Sequence, residues 1–174
     1  WLDRVAEATG LTNIISYMYA YTFYLFFDFA GYSAFAIAFS YLLGIHTPEN
    51  FNRPFLATSI VDFWNRWHIS MSSWFRDHVY MRFIMASMRG RWFSSKVFAS
   101  SVAFYVSFGL MGLWHGIAAH YLVYGFYHAT LLTGSTIMAR WWVQPNTRPW
   151  KFVNILITFH LVSFGLLIFS GRLG

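Results

Sequence analysis

Between residues 97 and 138 the chain carries no Asp, Glu, Lys or Arg. That uncharged stretch is about twice the roughly 20 apolar residues with which one helix crosses the hydrocarbon of a bilayer. It reads as two successive membrane helices hinged within 109–116, where glycines cluster. Residues 14–43 suffice for one tilted helix, or for two pieces broken near Asp28-Phe29-Ala30-Gly31, and 152–169 forms the last. Composition agrees: 10% of the 174 residues are charged, against about 25% in an ordinary soluble domain. The mean hydropathy of +0.45 understates the case, because nine Trp and eleven Tyr belong to the types enriched at membrane interfaces. The expected fold is all-α and polytopic, with transmembrane helices plus interfacial or re-entrant ones. No internal repeat or long linker divides it, so 1–174 is read as one domain.

Segment 59–84 is different. It is rich in Trp and Phe, yet it holds Asp62, Arg66, His68, Arg76 and Asp77. Ser59 followed by Asp62 has the spacing of a capping box, and Asp62 with Arg66 is a favourable i,i+4 pair. A helix this charged does not cross a bilayer alone; it lies along the interface, dips partway in, or is shielded by other helices. Basic residues set the sidedness. Arg82, Arg89, Arg91 and Lys96 occupy one loop, and Arg140, Arg148 and Lys151 the other, neither with an acid. Two spans between them put both loops on one side, the cytoplasmic one by the positive-inside rule. The net charge of +6 is therefore assigned to these loops and to anionic headgroups, not to nucleic acid. The absence of cysteine excludes disulfides, thiolate metal sites and cysteine nucleophiles. The chain opens at Trp1 without a Met or a signal peptide, and this start reads as a cut.

Seven histidines stand out in so apolar a chain. His115 lies in Gly112-Leu113-Trp114-His115-Gly116, where small residues permit a sharp turn. It is either a core histidine bonded to a carbonyl or a functional intramembrane group. Asn65, His68 and Ser72 fall on one helix face at i, i+3 and i+7, a polar stripe expected to face a protein-lined cavity. Asp28, among phenylalanines, is expected to pair with Arg66 or Arg76 or to shape a polar cavity, since a carboxylate at mid-bilayer costs about 3 kcal/mol. The spacing of His115, His120 and His128 matches no metal motif, so no metal is expected. His46, His78 and His160 read as structural.

The runs Asp62-Phe63-Trp64-Asn65-Arg66-Trp67-His68-Ile69-Ser70-Met71-Ser72, Trp74-Phe75-Arg76-Asp77 and Gly112-Leu113-Trp114-His115-Gly116 resemble the membrane-bound O-acyltransferase family. Asn65, the run Val79-Tyr80-Met81-Arg82-Phe83 and the run Tyr124-Gly125-Phe126-Tyr127-His128-Ala129 are most similar to its branch that D-alanylates teichoic acids. The alginate-acetylating branch continues from the Arg-Asp pair into a Pro-Leu-Gly-Gly stretch that this chain lacks. The resemblance implies that the chain is a C-terminal-half fragment, with several membrane helices of the family missing ahead of it. It implies His115 as the catalytic base and His68 as the second histidine of the same funnel, with Asn65, Ser72, Trp114, Asp28 and His128 lining the cavity. It further implies no bound cofactor. The donor is a D-alanyl thioester on the phosphopantetheine of an acidic carrier protein, and the acceptor is a hydroxyl of lipoteichoic acid at the cell membrane of a Gram-positive bacterium.

Met81, Ile84 and Met85, with Arg91 and Lys96 nearby, are the expected carrier-docking surface; the alternative is that they rest against lipid. The rival functions are a polysaccharide O-acetyltransferase of the same family and a translocator that performs no transfer chemistry.

Overall fold

A computed structural model describes residues 10–141, 145 and 147–173; the charged opening at residues 1–4 lies outside them. Among the described residues seven helices follow in chain order: α1 (Leu11–Leu42), α2 (Ile60–Trp64), α3 (Ile69–Phe75), α4 (Met81–Arg89), α5 (Lys96–His115), α6 (Ala119–Trp141) and α7 (Arg148–Phe169). A 3₁₀ turn at Pro54–Leu56 precedes α2, and a π-helical turn at Arg76–Tyr80 joins α3 to α4. Among the described residues, α1, α5 and α7 are long and apolar enough to cross a membrane.

α1 is one unbroken helix of 32 residues, about 48 Å at 1.5 Å per residue. The break considered at Asp28–Gly31 does not occur. A glycine weakens a helix by only about 1 kcal/mol, whereas an opened turn in hydrocarbon leaves backbone groups unpaired at several kcal/mol each. α5 likewise runs straight through Gly109 and Gly112, and the chain turns at Gly116, whose φ of 153° suits glycine. The hinge is thus confined to the C-terminal edge of the expected 109–116.

α5 and α6 form a tight hairpin, with α7 against α6 and α1 against α7. Tyr19 and Phe23 of α1 meet Phe159 of α7 with ring centroids 5.9 Å apart in each pair. The core lies where the short helices insert. Phe63, Trp64, Trp67 and Phe75 pack against Phe108 and Met111 of α5, Tyr124 of α6 and Leu166 of α7. Of the aromatic, charge-bearing segment 59–84, Phe63, Trp64, Trp67 and Phe75 are therefore shielded by longer helices, while Arg76, Asp77, His78 and Arg82 remain exposed.

Candidate active site

Ser59 accepts from the Asp62 amide at 3.1 Å and starts α2. Asp62 takes the Thr58 amide at 3.0 Å and holds Arg66 at 2.7 Å. α2 ends at Trp64, and the loop following α1 comes back beside the next residues. The Asn52 amide donates to the Arg66 carbonyl at 2.9 Å, Phe51 pairs with Trp67 in an antiparallel bridge, and the Ile69 amide donates to the Asn50 carbonyl at 3.0 Å. Inside this clamp His68 is left-handed, with φ 44° and ψ 55°. That conformation costs an L residue about 1–2 kcal/mol and persists only where neighbouring contacts over-determine it.

The kink corrects the expected polar stripe. Asn65, His68 and Ser72 do not share a helix face, because the left-handed residue re-aims the chain between them. His68 faces a cavity of about 80 Å³, whose lining includes His115, Phe29, Trp67, Tyr124 and Phe169. Asn65 and Ser72 instead line a separate cavity of about 260 Å³ with Arg76, Tyr80, Ser107 and Met111. Trp64 belongs to both walls and is the partition.

His115 ends α5, its ring centroid 4.8 Å from that of Trp114 and 4.9 Å from that of Phe169. The His68 ring meets Phe29 edge-on at 4.6 Å and lies 6.5 Å from Trp114. Among the described residues no protein group is hydrogen-bonded to either imidazole, and both rings line the same cavity. Burial pushes His68 down to about 4, with the nearby His115 adding to the shift, so His68 is neutral at ordinary pH. A neutral imidazole holds one N–H donor and one acceptor.

Three other expected residues sit elsewhere. Asp28 points outward from α1 and pairs with neither arginine: Arg66 is held by Asp62, and Arg76 by Asp77 at 2.8 Å. Sequence-local partners one and four residues away fix those side chains first. His128 lines neither cavity. It is fully buried one layer behind, where its Nδ1 accepts from Trp64 Nε1 at 3.3 Å and the rings of Tyr124 and Tyr127 flank it. Trp114 is 61% exposed and touches the pair from outside.

Two contributors escaped the sequence reading. Trp64 looked like one tryptophan among nine, and its tie to His128, 64 positions away, has no local signature. Ser107 is a buried hydroxyl without a hydrogen-bond partner on the larger cavity's wall; a serine amid an apolar helix was its only signal.

The segment expected to dock a carrier forms α4. Met81, Met85 and Met88 are exposed along it, Ile84 is half-buried, and Arg91 and Lys96 are exposed beyond its end.

The family model for the membrane-bound O-acyltransferases matches residues 7–172. The chain is 48% identical, over 98% of its length, to the teichoic acid D-alanyltransferase of Bacillus subtilis (strain 168) and covers 44% of that protein. It is 41% identical, over 94% of its length, to the teichoic acid D-alanyltransferase of Streptococcus thermophilus, covering 43%. The probable alginate O-acetylase of Pseudomonas syringae is 38% identical over 88% of the chain, which covers 28% of it. The chain thus spans less than half the length of these relatives.

Proposed function

Because the chain belongs to the membrane-bound O-acyltransferase family, we propose that it carries the transfer site of an enzyme that moves D-alanine from a carrier-bound phosphopantetheine thioester to a hydroxyl of lipoteichoic acid. The observation that carries this reading is the pair of imidazoles, His68 and His115, which line one cavity and have no hydrogen-bond partner among the described residues. His115 takes the proton of the acceptor hydroxyl as the oxygen attacks the thioester carbonyl. A new C–O bond forms and the carbonyl becomes an oxyanion, to which the N–H of His68 donates. The oxyanion collapses, the C–S bond breaks, and the proton held by His115 passes to the departing thiolate, leaving ester and thiol. The thioester is already activated, so a base and an oxyanion donor suffice.

The larger cavity supports the donor side of the reading. A pantetheine arm is a mostly apolar thread interrupted by amides. The cavity is mostly apolar, with Asn65, Ser72, Ser73, Arg76, Tyr80 and the unpartnered Ser107 hydroxyl as the polar residues of its wall.

The alginate-type relatives favour a second reading, acetyl transfer to a polysaccharide, and the donor separates the two. In proteoliposomes of the intact protein, labelled D-alanine on an acidic carrier should pass to lipoteichoic acid, and an acetyl donor should not substitute. His115→Ala should lower transfer by about 10²–10⁴-fold, the usual range for loss of a general base. His46→Ala and His160→Ala serve as silent controls, since His160 is held on the Leu156 carbonyl at 2.7 Å and His46 rests against Tyr41. Retention of more than about a tenth of the activity by His115→Ala would be incompatible with that range and would sink the mechanism.

A further inference from the structure

His68 begins α3, yet its side chain caps nothing; the ring is turned into the cavity against Phe29. The first two amides of a helix need acceptors from outside it, and a single residue from another part of the chain meets both. The main-chain carbonyl of Asn50 accepts the Ile69 amide at 3.0 Å. Its Oδ1 accepts the Ser70 amide at 3.2 Å and the Ser70 hydroxyl at 2.6 Å. Its Nδ2 donates to Ser33 Oγ at 3.4 Å, and Ser33 is buried in α1. Two residues on, Asn52 fixes the peptide on the other side of His68 through Arg66.

We propose that Asn50 is a positioning residue for His68. It caps α3 in place of His68, holds the left-handed backbone that aims the imidazole at the cavity, and ties both to α1 through Ser33. The role rests on the reading of His68 as part of the transfer site. The chemistry required at position 50 is a short side chain that accepts from Ser70 and bonds Ser33. Aspartate meets it as well: its second oxygen accepts from the Ser33 hydroxyl turned donor, and a carboxylate is favoured at a helix N-terminus. Leucine, of similar size, can do neither.

The test compares Asn50→Leu, Asn50→Asp and His68→Ala in the intact protein, each reconstituted from the monodisperse fraction. Steady-state transfer is measured together with the rate at which diethyl pyrocarbonate modifies His68, read by mass spectrometry. Asn50→Leu should lower kcat by about 10–100-fold, the scale of a displacement near 1 Å, while KM for the loaded carrier stays within about twofold. His68 should be modified several times faster and His115 at its original rate. Asn50→Asp should restore both readouts. Equal impairment by Leu and Asp would overturn the proposal, as would a kcat loss that only tracks a fall in thermal stability, or an unchanged His68 modification rate in Asn50→Leu. Full activity of His68→Ala would count against His68 in transfer, a separate failure, and the modification rates would still decide the clamp.

Discussion

The position of His115 depends on how closely α5 and α6 approach, and Gly112→Ala measures that dependence. A Cβ built on Gly112 falls 2.5 Å from the Tyr121 carbonyl oxygen and 3.2 Å from the Leu122 Cα. Ordinary contact begins at 3.4 Å, so the two backbones must part by about 0.9 Å, on the scale at which misplacement already weakens catalysis. Both obstacles are main-chain atoms of the facing helix and cannot swing aside. Gly125, on that helix, runs into the Phe108 carbonyl in the same way. Small residues that admit such contact are the usual basis of helix association in membranes.

Two effects oppose each other at this site. Alanine favours a helix over glycine by about 1 kcal/mol, while forcing extra volume into a packed contact costs about 1–3 kcal/mol. The net loss of stability is therefore small, about 0–2 kcal/mol from those two ranges. The functional loss should be larger. His115 lies one turn beyond Gly112, and an error near 1 Å in a catalytic group costs up to about 10²-fold. Gly112→Ala in the intact protein should thus lose about 10–100-fold in transfer, with a thermal midpoint only slightly lowered and carrier affinity unchanged. Gly134→Ala is the control: a Cβ there meets nothing within 4 Å, so stability should hold or rise by up to about 1 kcal/mol. Full transfer by Gly112→Ala, assayed beside unfolding followed by fluorescence, would refute the claim that this contact positions His115.

Trp64→Ala should join the two cavities and leave His128 without the indole, raising hydrolysis of the loaded carrier relative to transfer; an unchanged ratio would remove Trp64 as partition. Met85→Asp, which adds charge on the exposed face of α4 without burying it, should weaken carrier binding at least about tenfold, as loss of an apolar anchor does. Lys96→Ala should weaken it less, with a difference that shrinks as salt rises; full carrier affinity in Met85→Asp would return α4 to the lipid. Stability should also depend on pH through His68. Its folded-state value, about 4, lies below the 6.5 of the free imidazole, so the unfolded chain takes up the proton first. No stability is lost to this group above about pH 6.5, and loss accumulates as pH falls from there towards 4. A His68→Gln protein whose thermal midpoint falls as steeply over that window would assign the loss to other groups.

Interactions that close within a turn or two were legible in the sequence. Ser59 caps α2, and Asp62 meets Arg66, because a helix brings i+3 and i+4 together whatever surrounds it. The three long apolar helices follow from the scarcity of charge, which leaves hydrocarbon as the medium and helix as the only open-ended structure it tolerates. The same reasoning explains why glycines inside α1 and α5 do not break them. Both key histidines could be singled out, one between glycines and one among tryptophans; that they share a cavity was implied by the family resemblance and by no local pattern.

What the sequence hid has a single physical origin. Residues 59–84 read as one helix, and nothing local in Asn65-Arg66-Trp67-His68 demands a left-handed residue. The demand comes from 50–52, a loop about 16 positions upstream that returns to bond 66–70 from the side. Once that loop is docked, the helix divides, and a stripe that would have shared one face opens onto two cavities. Trp64 can stand between them because His128, brought in by α6, takes the indole N–H. Asp28 illustrates the converse: its charge was evident and its direction was not, since the rotation of α1 is set by its packing on α7 and not by residues 24–32. In a chain this apolar, hydropathy places helices in the membrane, and a few long-range polar contacts then decide which side chains meet. His68 and His115 meet because such contacts hold the short helices between α1 and the α5–α6 hairpin, so substitutions at Asn50 or Gly112 should act on transfer although neither residue lines the imidazole cavity.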